Sequence, residues 1–161
     1  EQSARLIEKL HAAIPDITLR TTFIVGFPGE TERDFEELLQ FMSEIQFDRV
    51  GIFQYSREEG TPAATLPDQV PEELKQERRN RAMALQQKIS WKKNQLKVGR
   101  VLKVLVEGRN PRGVYFGRSE GDAPDVDGKV YFKAPLELSP GEYVKVRVTA
   151  ARAYDLNGEL V

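Results

Sequence analysis

Residues 26–30, which read Gly-Phe-Pro-Gly-Glu, are the part of this sequence whose types and spacing best fit ligand chemistry. Gly26 and Gly29 allow a flat ligand to lie against the backbone, and Ile24 and Phe27 supply the apolar contact that a purine ring needs. No Lys-Ser/Thr pair follows and no Gly-x-Gly-x-x-Gly pattern is present, so a phosphate cradle is disfavoured. The alternative is a plain strand-to-helix turn in which the glycines serve only backbone conformation.

A second candidate is an acidic loop that carries four carboxylates between Arg118 and Lys129, with no basic residue among them. Such a loop repels a phosphate backbone and favours a basic partner, including a basic protein. Asp122, Asp125 and Asp127 do not have the spacing of an EF-hand calcium loop. The alternative is a turn-rich loop whose acids only keep it soluble.

The composition excludes several kinds of site. The chain has no cysteine, so it supplies no thiolate to zinc or to an iron–sulfur cluster, and its one histidine, His11, fits a solvated helix end better than a ligand. The net charge is −1, which indicates no polyanionic partner. No apolar run approaches the roughly 20 residues of a membrane helix, so we expect a cytoplasmic protein with no membrane partner. The start at Glu1, without Met or leader, predicts a fragment.

The first third of the chain alternates between helix and strand. Residues 18–26 form a predicted strand, Thr31 and Asp34 form a predicted helix cap, and residues 50–55 form the next strand. This order predicts a right-handed strand–helix–strand crossover with parallel strands. Two parallel strands need neighbours that the sequence lacks, so an incomplete α/β layer is expected. A complete small α/β domain is the alternative.

The remainder predicts a helix and then a small all-β domain. Residues 56–70 are a polar loop interrupted by prolines, and its length suggests a functional or bridging role. A long helix follows to residue 98, and its many Lys, Arg and Gln residues are expected to form a solvated face. From Arg100 onward, four or five short β-branched or aromatic runs predict a small barrel of the oligonucleotide-binding type.

These motifs resemble one enzyme family, the radical S-adenosylmethionine methylthiotransferases. The resemblance lies in residues 24–31, 53–56, 59–63 and 154–158, and it runs nearly end to end. It implies a partial (β/α) barrel fragment, joined by a long helix to an all-β barrel of the OB type called the TRAM module. The resemblance implies three parts: the C-terminal part of the radical S-adenosylmethionine barrel at 1–70, a linker helix at 71–98 and the TRAM domain at 99–161.

The resemblance also implies a cofactor, S-adenosylmethionine, bordered by the ends of the strands. The implied cofactor-binding residues are Ile24, Gly26, Phe27 and Gly29, joined by Arg20, Thr22 and Tyr55 as further contacts. In the family, cysteines on other segments hold two [4Fe-4S] clusters. Because this chain has no cysteine, no catalytic or metal-binding residue is predicted in it, and we expect the isolated fragment to be inactive.

Two branches of the family compete. Arg118, Asp122, Asp125 and Asp127 resemble the branch that modifies an aspartate on a protein of the small ribosomal subunit, where a C–H bond becomes C–SCH3. The acidic loop is then expected to bind the substrate, and a basic ribosomal protein is the expected partner of the TRAM module. The alternatives are the branch that modifies adenosine in transfer RNA, and an RNA-binding module without catalysis. The latter needs a basic stripe, for which the candidates are Arg100, Lys103, Arg109 and Arg112 with Tyr115 and Phe116.

Overall fold

The computed structural model describes residues 2–161, which divide into two compact units with the boundary after Ile89. The first unit contains the predicted alternation of helix and strand. Its elements are α1 (Gln2–Ala13), β1 (Arg20–Val25), α2 (Glu32–Ile45), β2 (Arg49–Gln54), a short 3-10 helix (Pro62–Thr65) and most of α3 (Glu72–Gln95). The 3-10 helix lies within the stretch 56–70, for which the sequence predicted only a loop.

A two-stranded parallel sheet, β1 beside β2, is the centre of the first unit. Phe23 lies opposite Ile52 and Ile24 lies opposite Phe53, so alternate pairs point to opposite faces. One face is buried by α2 and α3, and its core contains Val25, Phe35, Met42, Ile52 and Ala82. The other face carries Ile24 and Phe53, which are 58% and 59% exposed. The sheet is therefore covered on one side only.

The start of α2 is fixed by the capping box that the sequence predicted. The Thr31 side chain accepts from the Asp34 amide, and the Asp34 carboxylate accepts from the Thr31 amide at 2.9 Å. The Thr31 hydroxyl lowers the pKa of Asp34 by donating to the same carboxylate. Arg81 lowers the pKa of Glu32, with which it forms a 2.7 Å ion pair. Charge and hydrogen bonding thus both favour a helix beginning at this residue.

Helix α3 buries polar side chains, and the expectation of a solvated basic face is wrong for them. Together with the buried Ala82, these side chains follow one another at intervals of three or four residues, which places them on one stripe of the helix. The buried polar residues are Lys75, Arg78, Gln86, Ser90 and Asn94. Several of them donate to loop carbonyls, as Gln86 does to the Phe47 carbonyl oxygen at 3.0 Å. The stripe therefore satisfies backbone groups that loops leave without partners.

The second unit contains a closed five-stranded barrel, which confirms the small barrel predicted for this region. The strands follow the order β3-β4-β5-β7-β6 around the barrel. They are β3 (Val101–Arg109), β4 (Tyr115–Ser119), β5 (Val130–Lys133), β6 (Tyr143–Ala151) and β7 (Leu156–Leu160). The inward residues of every strand form one apolar core, which includes Val104, Val106, Tyr115, Val130, Phe132, Val146, Val148 and Leu156.

Two glycines allow backbone segments of the barrel to approach closely. A Cβ atom on Gly117 would lie 2.1 Å from the Leu105 carbonyl oxygen, and one on Gly128 would lie 1.9 Å from the Tyr154 carbonyl oxygen. Both neighbours are backbone atoms, which cannot rotate away as a side chain can. Closure of the barrel therefore depends on glycine at these positions.

Candidate functional site

The backbone amide groups of the turn after β1 donate hydrogen bonds to acceptors of the protein itself. The Gly26 amide donates to the Glu30 carboxylate at 2.9 Å, and the Glu30 amide donates to the Phe27 carbonyl at 2.9 Å. The Gly29 amide donates to the Asp68 carbonyl at 2.9 Å. An anion cradle needs such amides directed at the ligand. The geometry therefore agrees with the sequence in disfavouring a phosphate site here.

Glu30 points inward to a buried arginine. Arg78 is 2% exposed, and its Nη1 donates to Glu30 Oε1 at 2.7 Å and to the Glu30 carbonyl oxygen at 3.0 Å. Glu30 lies between the turn and α2, where a carboxylate can contact a ligand or can favour the start of the helix. The structure gives its carboxylate two protein partners, the Arg78 guanidinium and the Gly26 amide. Nothing in the sequence near residue 30 signals an arginine 48 positions away.

Gly26 makes room for a lysine of α3. Its φ is 75°, a left-handed conformation that favours glycine, and a Cβ here would lie 2.3 Å from Lys75 Cγ. Lys75 is 2% exposed, and its ammonium pairs with Glu72 at 2.6 Å. The same ammonium lies 5.3 Å from the centroid of the Tyr55 ring. The absence of a side chain at Gly26 thus serves packing against α3 as well as the turn.

Exposed apolar side chains gather near the carboxyl ends of β1 and β2. Ile24 and Phe53 are opposite each other in register, and Phe27 lies edge-on to Tyr55 with ring centroids 5.2 Å apart. Phe27 is 45% exposed and Tyr55 is half-buried. We call these four residues the apolar edge. It offers ring-sized apolar contact at the end of parallel strands, where ligands of α/β proteins bind.

Two of the other predicted cofactor contacts, Arg20 and Thr22, lie nearer the start of β1 than Ile24 does. Arg20 and Thr22 are exposed and share the face of Ile24, because alternate residues of a strand point the same way. At about 3.3 Å per residue, Arg20 lies roughly 13 Å from Ile24, at the opposite end of β1. Gly29 is exposed, with a φ of 85°, and a Cβ added to it would have no neighbouring atom within 4 Å. The structure thus brings Phe27 and Tyr55 into contact, and it places Arg20 at the end of β1 opposite to Ile24.

The aspartates of the acidic loop partly shape the loop itself. Asp122 Oδ2 accepts from the Ser119 hydroxyl at 2.5 Å and from the Ser119 amide at 3.1 Å. Asp127 Oδ2 accepts from the Ala123 amide at 2.7 Å. Asp125 is exposed and has a φ of 60°. Of these three carboxylates, that of Asp125 is therefore the best placed to meet a partner without disturbing the loop.

Arg118 and Asp122 line one small cleft of the barrel. Arg118 Nε lies 3.1 Å from the Glu107 carboxylate on the neighbouring strand. The cleft has a volume of about 180 Å³, and Lys103 and Tyr143 also line it. Asp125 and Asp127 are not among its lining residues. Of the four predicted substrate-binding residues, Arg118 and Asp122 therefore line this cleft, and Asp125 and Asp127 do not.

A basic face lies on β3 and β6, and it includes Lys103 of the predicted stripe together with residues that the sequence analysis did not name. Lys103 lies opposite Lys145 and Val101 lies opposite Arg147. Tyr143 is 63% exposed, with Lys103 Nζ 4.4 Å from its ring centroid. Val101, Lys103, Tyr143, Val144 and Lys145 line a shallow groove of about 420 Å³. The alternation of exposed polar residues at 143, 145 and 147 was the signal that sequence reading missed.

Tyr115 does not belong to a nucleic-acid-binding stripe. It is 2% exposed, stacks on Phe132 in the core, and accepts from the Leu138 amide through its hydroxyl oxygen at 3.1 Å. A base cannot stack on a ring buried in this way. Of the predicted basic stripe, Lys103 lines the groove on β3 and β6.

Neither a metal cluster nor a membrane span is found within residues 2–161. No group of three or more His, Asp or Glu side chains among them is placed to hold a metal ion. No helix of that same stretch is long and apolar enough to cross a membrane.

Comparison with known sequences gives a match to one domain family and matches to full-length relatives. Residues 98–161 match the TRAM domain family. Over its whole length the chain is 61% identical to the ribosomal protein uS12 methylthiotransferase RimO of Pelotomaculum thermopropionicum, of which it covers 37%. It is 54% identical over 98% of its length to RimO of Desulforudis audaxviator, of which it covers 35%.

A cyanobacterial relative shows the same relation. RimO of Nostoc sp. is 54% identical over 97% of the chain, which again covers 35% of the relative. The chain therefore spans little more than a third of the length of the curated relatives it matches. Over nearly all of its length the chain is therefore similar to a segment of these RimO methylthiotransferases, and its residues 98–161 match the TRAM domain family.

Proposed function

We propose that the chain is the C-terminal part of a radical S-adenosylmethionine methylthiotransferase acting on a small-subunit ribosomal protein. The reaction replaces a C–H bond by C–SCH3 at the β-carbon of an aspartate. The observation that carries the proposal is the whole-length similarity to proteins named as uS12 methylthiotransferases. In this proposal residues 1–70 end a partial (β/α) barrel, 71–98 are the linker helix and 99–161 are the TRAM domain.

The apolar edge is the proposed contact with S-adenosylmethionine. Ile24, Phe27 and Tyr55 offer ring-sized apolar surface at the carboxyl ends of parallel strands, which fits a purine ring. Gly26 and Gly29 allow the turn to follow the edge of the ligand. When bound there, S-adenosylmethionine would supply the hydrogen-abstracting chemistry. The residues of this chain bind and orient it.

Ligation of iron–sulfur clusters is not assigned to this chain. The two [4Fe-4S] clusters of the proposed enzyme need thiolates, and the sequence contains no cysteine. The donor set of residues 2–161 therefore does not fit a cluster. We assign to these residues only binding and positioning.

Substitution of Phe27 tests the cofactor proposal. In the full-length protein that carries this chain, Phe27→Ala should weaken S-adenosylmethionine binding about tenfold, since an aromatic contact contributes about 1–1.5 kcal/mol. Isothermal titration calorimetry measures the affinity. Leu136→Ala is the matched control, because Leu136 is an exposed apolar residue of the barrel unit. Equal affinities for the two variants would refute the assignment of the apolar edge.

The acidic loop is the proposed docking site of the basic protein substrate. Asp125 carries this role best, because the carboxylates of Asp122 and Asp127 accept hydrogen bonds within the loop. Asp125→Asn should lower the association rate with uS12 about twofold to fivefold at low salt and leave S-adenosylmethionine affinity unchanged. Glu137→Gln removes the same charge elsewhere on the exposed surface and serves as the control. A rate unchanged by Asp125→Asn removes the docking role of the loop.

Nucleic-acid binding is the second candidate, and the basic face of β3 and β6 favours it. Lys103 and Lys145 are directly opposite each other, so their positive charges repel. An anionic partner would reduce this repulsion. The exposed Tyr143 ring adds a surface on which a base can stack. A titration of RNA affinity against salt separates the candidates. Steep loss of RNA affinity with salt, without affinity for uS12, would favour RNA as the substrate.

A further inference from the structure

Two buried cations of α3 support the turn of residues 26–30 from behind. Arg78 reaches the turn through two hydrogen bonds, one to the Glu30 carboxylate and one to the Glu30 carbonyl. The same carboxylate accepts from the Gly26 amide. The orientation of Gly26 is thereby coupled to a side chain far along the chain. Nine-tenths or more of Arg78 is buried, so this ion pair is shielded from solvent screening.

Lys75 supports the same turn by packing. Its stem occupies the space that a side chain on residue 26 would need, with Cγ 2.3 Å from the position of such a Cβ. Its ammonium lies 5.3 Å from the Tyr55 ring centroid, and Tyr55 in turn contacts Phe27. One lysine therefore contacts both the turn and an aromatic residue of the apolar edge.

A hydrogen bond between the ends of β1 and β2 is the third contact that supports the turn. The Tyr55 amide donates to the Val25 carbonyl at 2.9 Å, which joins the end of β2 to the end of β1. The residues that face the proposed ligand are thus held by contacts on the side away from it. A small rotation at Gly26 would move Phe27 relative to Tyr55. In a bound complex, a misplacement of about 1 Å has a large cost in binding or rate.

We propose that Arg78 and Lys75 are positioning residues for the cofactor side of the turn. They do not touch the cofactor; they fix the backbone at Gly26 and Glu30 so that Ile24 and Phe27 present a preformed apolar surface. This inference rests on the proposed function, because it takes the apolar edge as the place where S-adenosylmethionine binds. It assigns to α3 a role in cofactor binding in addition to that of connecting two units.

The test combines a structural readout with a binding readout in the full-length protein. Arg78→Gln should accelerate hydrogen exchange in the peptide containing Gly26 about tenfold and weaken S-adenosylmethionine binding about tenfold to a hundredfold. At saturating cofactor, kcat should change by less than about threefold, because no group that contacts the reacting atoms is removed. Arg33→Gln is the control, since Arg33 is an exposed arginine of the neighbouring helix α2. It should alter none of these quantities.

Two further variants keep the proposal falsifiable if Arg78→Gln does not fold. Arg78→Lys keeps the charge but loses the planar fork, and Glu30→Gln keeps an oxygen acceptor for the Gly26 amide. Both should weaken the cofactor affinity less than Arg78→Gln. Faster exchange at Gly26 without weaker cofactor binding in these variants would overturn the positioning role. If Phe27→Ala still weakens binding in that case, the proposed function stands and only this inference fails.

Discussion

The first unit and the barrel differ in how they cover their β-sheets. The barrel closes on itself, so every strand has two neighbours and the apolar side chains point to one interior. The parallel sheet of the first unit has two strands and one uncovered face, where Ile24 and Phe53 are more than half exposed. Residues in the barrel interior are therefore fixed by packing, whereas residues on the uncovered face are available for a ligand or a partner.

The largest expected effect uses the same substitution in both regions. Phe132→Ala should cost about 3–5 kcal/mol in unfolding free energy, because Phe132 is 2% exposed and stacks on Tyr115. Phe53→Ala should cost no more than about 0.5 kcal/mol, because its ring is mostly in solvent. Urea denaturation of the 161-residue chain, followed by circular dichroism, measures both. A cost above about 2 kcal/mol for Phe53→Ala would show that the exposed face carries stability after all.

An intermediate effect is expected for added methyl groups. Gly117→Ala should destabilise the barrel by about 1–3 kcal/mol, since the new Cβ meets the backbone carbonyl of Leu105. Gly51→Ala in β2 should cost less than about 1 kcal/mol, because its nearest neighbour is the mobile ring of Phe53 at 3.1 Å. Thermal unfolding by calorimetry tests the difference. Similar melting temperatures for the two variants would show that the barrel accommodates an added methyl group as readily as the two-stranded sheet does.

The smallest expected effect concerns acid. The folded-state pKa of Glu32 is lowered by Arg81 from its ordinary value of 4.5, and that of Asp34 is lowered by Thr31 from 3.8. A lowered folded-state pKa stabilises the fold above the unfolded value, and this stability is lost as the pH falls through the folded value. The first unit should therefore lose a small part of its stability below pH 4.5. Hydrogen exchange of α2 amides as a function of pH measures this loss.

A matched variant isolates the contribution of Glu32. Glu32→Gln removes the carboxyl group, so the acid-dependent exchange of α2 should become shallower below pH 4.5. The barrel amides in the same sample serve as the internal reference. An unchanged pH dependence in this variant would assign the acid effect to other carboxyl groups.

Local patterns predicted most of the elements. The capping box at Thr31 was readable because its two partners are three residues apart. The strands of the barrel were readable because β-branched runs alternate with turn residues, and the structure has strands there. The last strand, Leu156–Leu160, pairs in parallel with β5. Pairing with a distant strand, rather than local sequence, sets the boundary of this strand.

The candidate site was only partly predictable. Ile24, Gly26 and Phe27 could be proposed from the sequence because a glycine turn after an apolar strand has a local signature. Arg78 and Lys75 were missed, because Lys and Arg on a helix are mostly exposed and their partners lie far away in sequence. The basic face was predicted only at Lys103, and Lys145 and Arg147 were missed, because the face depends on which strands of the barrel are neighbours.

The sequence by itself determined where strands, turns and helix caps form, and it determined that no thiolate chemistry is available within these 161 residues. These properties depend on residue type and on spacings of a few positions. Only the tertiary structure decided that Glu30 faces Arg78, that Lys75 fills the space beside Gly26, and that Lys103 meets Lys145. The physical reason is that burial, ion pairing and strand neighbourhood are set by contacts between distant segments, which no short pattern records.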